Sequence, residues 1–86
     1  MKLSGRHRAT LEAIFADPVR ASVVWTDVEA LFRACGGEVS EGQGSRVRVA
    51  LNGVRAVFHR PHPQKETDRG ALKSVRRFLI EAEITP

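Results

Sequence analysis

The sequence predicts an α+β fold in the order α-α-β-β-β-α, with a three-stranded antiparallel sheet and its helices on one face. Three observations carry that prediction. Polar and apolar residues alternate on both sides of Asn52-Gly53, from Arg46 to Leu51 and again from Val54 to His59, the period of a half-buried hairpin. Val28, Leu31, Phe32 and Cys35 share one stripe at helical spacing. Leu72, Val75, Phe78, Leu79 and Ala82 share another, and each stripe needs a surface to bury against.

In chain order, Ser4 opens a first short helix whose Leu11, Ile14 and Phe15 keep i, i+3, i+4 spacing, and Asp17-Pro18 closes it. Residues 19–25 form a connector that delivers Trp25 to the second helix. Thr26 and Glu29 fit a T-x-x-E capping box, in which hydroxyl and carboxylate satisfy unpaired backbone N–H groups, so this helix is expected to start at Asp27. Gly36-Gly37 supplies the left-handed residue that ends it. Glu38–Glu41 reads as a short strand and Gly42-Gln43-Gly44 as a tight turn.

With a two-residue loop at Asn52-Gly53, Leu51 faces Val54, and Val47/Phe58, Val49/Ala56 and Leu51/Val54 share the core side. Arg46/His59, Arg48/Val57 and Ala50/Arg55 then lie on the other side, which helices stacked on a single face leave open. Prolines 61 and 63 stop the third strand, because each lacks a donor and restricts the residue before it. A last helix is expected from about Asp68 to Ala82, with Lys73, Arg76 and Arg77 outward or flanking.

Eighty-six residues suit a single domain, residues 1–86, and are too few for a cofactor-binding domain plus a substrate domain. No cofactor is expected. No apolar run approaches the roughly twenty residues of a membrane span. The opening Met1–His7 turns polar at once, so a cytoplasmic location is the expectation. Cys35 is the single cysteine, which excludes an internal disulfide and a cysteine zinc site, and it reads as a small buried hydrophobe. His59 and His62 come with no nearby carboxylate or cysteine set of recognised spacing, so no metal site is expected.

The formal net charge is +4, but it is unevenly placed. Residues 1–43 hold five Lys/Arg against six Asp/Glu, whereas residues 44–86 hold nine against four. A basic half concentrates polyanions around it and suggests a nucleic-acid partner. A solvated face that maintains solubility is the other reading of the same charges.

The helix ending Ala34-Cys35-Gly36-Gly37, the strand opening Gly44-Ser45-Arg46, the stretch His59–Glu66 and the helix Gly70–Leu79 together resemble the HicA family, over roughly residues 26 to 84. These are small toxins of bacterial toxin–antitoxin pairs. The resemblance implies a fold like that of double-stranded-RNA-binding domains, cleavage of messenger RNA, and a HicB-type antitoxin as partner. Residues 1–25 lie outside the family's minimal core. The family's strand usually opens Gly-Ser-His, with the histidine as catalytic base, and here Arg46 occupies that place. Arginine keeps its proton at any physiological pH, so it is no ordinary general base.

Metal-independent RNA cleavage needs a base for the 2′-hydroxyl, an acid for the leaving oxygen and positive charge on the phosphate. Histidine, with an ordinary pKa near 6.5, suits the first two roles. His59, the cross-strand neighbour of Arg46, and His62, which matches the family's Pro-His loop, are the candidate catalytic residues. Arg46, Arg48, Arg55, Lys65, Lys73, Arg76 and Arg77 are the candidate RNA-binding residues, able to meet phosphates and 2′-hydroxyls of a duplex by shape. The hairpin lacks exposed aromatics for stacking unpaired bases. Three function classes follow: an endoribonuclease toxin, a non-catalytic RNA-binding module on the same scaffold, and a protein-interaction domain whose open sheet face meets an acidic partner.

Overall fold

A computed structural model describes residues 3–19 and 22–86, so residues 20 and 21 of the expected connector lie outside the described residues. The elements are α1 (Gly5–Ile14), α2 (Trp25–Ala34), β1 (Glu38–Glu41), β2 (Arg46–Leu51), β3 (Val54–His59) and α3 (Arg69–Glu81). The sheet is antiparallel in the order β1-β2-β3. This is the α-α-β-β-β-α arrangement the sequence predicts, the layered form of double-stranded-RNA-binding domains.

The hairpin forms in the predicted register, from Arg46 opposite His59 to Leu51 opposite Val54. Asn52 and Gly53 both take positive φ, at 50° and 82°, as a type I′ turn requires. Asn52 Nδ2 donates to the Ala82 carbonyl at 2.8 Å, which anchors the turn to the end of α3. Val47, Val49, Leu51 and Phe58 point into the core, where Phe32 meets the rings of Phe58 and Phe78 at 5.7 and 5.5 Å. Cys35 is buried among them, and burial pushes its thiol pKa up.

The helix ends follow local chemistry. Ser4 Oγ accepts from His7 N at the start of α1, and an Asp68 carboxylate oxygen accepts from Ala71 N at 2.7 Å at the start of α3. Helix α2 closes in a Schellman motif, with Gly37 N–H donating to the Phe32 carbonyl and Gly36 N–H to that of Arg33. Gly36 has φ +89°, and a Cβ on Gly37 would stand 2.9 Å from the Phe32 carbonyl oxygen, so both glycines are required here.

The start of α2 departs from expectation. Thr26 and Glu29 form no capping box. The helix begins at Trp25, its N-cap Val24 offers no side-chain acceptor, and the Trp25 N–H donates instead to the Lys65 carbonyl at 2.9 Å. Glu29 is turned inward because Trp25, Val28, Glu29 and Phe32 share the buried side of α2. There its carboxylate accepts from the Trp25 indole N–H and from the Arg60 guanidinium. A buried carboxylate needs such a counter-ion more than the helix needs a cap.

Candidate nucleic-acid face

The open side of the sheet is a grid fixed by two registers. Glu38, Ala50 and Arg55 form one row; Ser40, Arg48 and Val57 form the next; Arg46 and His59 form the third, beside Gly42. Arg46, Arg48, Arg55, Val57 and His59 are all exposed. None of these arginines has an ion-pair partner among the described residues. Arg60 N–H donates to the Ser45 carbonyl at 2.9 Å, so Ser45/Arg60 is a hydrogen-bonded pair and Arg46/His59 is the closer, non-hydrogen-bonded kind. Guanidinium and imidazole therefore stand side by side on the uncovered surface.

The remaining predicted residues are distributed around this face. His59, Arg55 and Arg77 line one groove, between β3 and α3. His62 is exposed between its two prolines and lies outside that groove. Lys65 borders a second groove with Arg6, Asp27 and Arg60 at the start of α2. Lys73 is exposed on α3.

Arg76 reaches across to the end of α1. Its Nε donates to the Ile14 carbonyl at 3.1 Å and its Nη2 to that of Ala16 at 2.8 Å, with the guanidinium 5.8 Å above the Phe15 ring. It satisfies carbonyls left open where α1 ends, through one edge of its guanidinium.

Arg60, read from the sequence only as part of a stiffened loop, is the centre of the largest charge cluster among the described residues. Its Nε reaches Glu29 at 2.7 Å and its Nη1 reaches Glu41 at 2.6 Å, so one residue ties the loop after β3 to α2 and to β1. These hydrogen bonds hold the Arg60 proton still more tightly than in a free arginine and draw the Glu41 pKa below the usual carboxylate range. The signal for this cluster is a glutamate on the apolar stripe of α2, which is costly to bury unless an arginine elsewhere meets it.

The family model described as "HicA toxin of bacterial toxin-antitoxin" matches residues 25–84, most of the chain. The chain belongs to the HicA toxin family. No curated protein and no solved structure matches it. The family match spans α2 to α3 and leaves α1 outside. As a HicA-family chain it is the toxin side of a toxin–antitoxin pair, with an antitoxin as partner. Among the described residues no helix is long and apolar enough to cross a membrane.

Proposed function

We propose that this HicA-family chain is a cytoplasmic RNA-binding toxin that cuts messenger RNA without metal and is silenced by a HicB-type antitoxin. The observation that supports it is the exposed Arg46/His59 pair, flanked by Arg48 and Arg55 on one uncovered face. His59 takes the proton of a 2′-hydroxyl, whose oxygen attacks the adjacent phosphorus. Arg46 holds the phosphate as its charge grows, and the 5′-oxygen leaves with a proton that His62 supplies. The products are a 2′,3′-cyclic phosphate and a 5′-hydroxyl. Removing a general acid or base lowers such a rate by about 10²–10⁴-fold.

The test is the cleavage rate of His59→Ala and His62→Ala in a chelator, with RNA affinity measured in parallel. The expected result is loss of cleavage with affinity retained, and full cleavage by both variants overturns the mechanism. One observation favours a second reading, a non-catalytic RNA-binding module: Arg46 stands where the family pattern leads one to expect a histidine. RNA that binds with a steep salt dependence yet stays intact supports that reading.

A further inference from the structure

The outer side of β3 is an unpaired strand edge. Because Ser45/Arg60 is a hydrogen-bonded pair of the β2–β3 ladder, alternation makes Phe58, Ala56 and Val54 bond to β2. The N–H and C=O groups of Arg55, Val57 and His59 then point outward. No strand pairs with them among the described residues. The two sheet edges differ in how they are protected. β1 has four residues with a glutamate at each end, whereas β3 has six, with no proline or lysine, and Val57 at its middle is 55% exposed. A long edge with no proline or covering strand, whose charges are all of one sign, is a template for another strand of the opposite charge.

A groove of about 430 Å³ runs beside that edge. One wall is β3 from Arg55 to His59; the other is a stripe of α3 with Ala71, Ser74, Arg77 and Glu81, preceded by its N-cap Asp68, with the Phe58 and Phe78 rings between the walls. The two walls run antiparallel, since Asp68 lies at the His59 end and Asn52 bonds Ala82 at the other. Six strand residues and thirteen helical ones both span about 20 Å. Small side chains at Ala71 and Ser74 leave room for an extended chain.

We propose that β3 accepts an extended acidic segment of a partner protein as a fourth strand. The groove itself is of mixed charge, Arg77 against Asp68 and Glu81, so the open face of the sheet, where Arg46, Arg48 and Arg55 have no acidic partner among the described residues, decides the occupant. The residues opposite Arg55, Val57 and His59 share the open face with them, so the pattern that fits is acidic, any, apolar, any, acidic. A second copy of this chain would set Arg55 and a further basic face against its own, which the net charge of +4 disfavours. The inference adds to the proposed function without resting on it, because the edge exists whether or not RNA is cut.

The probe is the blocked peptide acetyl-Gly-Glu-Thr-Ile-Thr-Glu-Gly-amide, titrated into the full chain by NMR. The expected result is that the Arg55, Val57 and His59 amides shift and that their hydrogen exchange slows at least about tenfold. Replacing both glutamates by lysine should weaken binding about tenfold, and N-methylation at the isoleucine should abolish it. Val57→Pro removes an N–H that the β2 ladder does not use, so the folded variant should ignore the peptide. If that variant does not fold, the N-methylated peptide on the unaltered chain decides. Shifts without slowed exchange, equal binding of the N-methylated peptide, no shift at millimolar peptide, self-association along the edge, or protection of these three amides by RNA instead of by the peptide would each overturn the proposal.

Discussion

The two sides of the sheet obey opposite rules. On the helix side, every ion pair among the described residues is found: Arg60 joins Glu29 and Glu41, Arg33 flanks Glu29, Arg6 meets Asp27, and Arg76 donates to carbonyls where α1 ends. On the open side, Arg46, Arg48 and Arg55 have no ion-pair partner among the described residues. Matched charges hold a fold together, and unmatched ones on a shared face are available to a polyanion. The comparison implies that substitutions on the helix side change stability, whereas those on the open side change binding.

The largest effect should come from the centre of the helix side. Phe32→Ala empties a fully buried ring position that touches Phe58 and Phe78. A loss of about 3–5 kcal/mol is expected for such a truncation, a large part of the ~5–15 kcal/mol that holds a domain of ordinary stability. Denaturant unfolding measures it. Arg60→Ala removes the nearer of two cations from Glu29, which is 6% exposed, and leaves it Arg33 at 3.6 Å and the Trp25 indole N–H; the loss should be about 1–3 kcal/mol, below that of a buried charge with no partner. Glu29→Gln in the same background should recover part of that loss, which would show that the weakened pairing of the buried charge, not lost packing, is responsible.

Open-face changes should behave in the contrary way. Arg48→Ala is expected to leave stability within about 0.5 kcal/mol while lowering RNA affinity and reducing the salt slope by about one. A stability loss as large as that of Arg60→Ala would erase the distinction between the two sides. The smallest effect concerns pH. Glu41 is held below its ordinary pKa of about 4.3, so its contribution is present above that value and fades as pH falls through the lowered one. Glu41→Gln should therefore lower stability slightly at pH 7, where the pair with Arg60 is intact, and converge with the parent as pH falls through the lowered value, as a pH series of thermal unfolding would show.

What the sequence discloses follows the range of each signal. The hairpin, its register and the Arg46/His59 pairing were legible because period-two alternation and an Asn-Gly turn are local, and a register error of one residue would have put Val47 and Val49 in water. The Schellman end of α2 was legible for the same reason. Glu29 was not, because T-x-x-E describes a capping box just as well as a buried ion-pair partner. Its true partner lies 31 residues away. The bonds of Arg76 were equally out of reach: its spacing on α3 says it flanks the apolar stripe, and the carbonyls it serves are about 60 residues earlier. Of the candidate site, the sheet residues could be placed by counting. The relation of His62 to them depends on the loop that Arg60 anchors, which no periodicity encodes.

The most direct test of the account is the chemistry of the RNA ends. The full chain, incubated with an RNA oligonucleotide in excess chelator, should leave fragments ending in a 2′,3′-cyclic phosphate and starting with a 5′-hydroxyl, and mass spectrometry distinguishes these from other ends. Fragments bearing 3′-hydroxyls, or RNA that is bound on the open face yet never shortened, would contradict it.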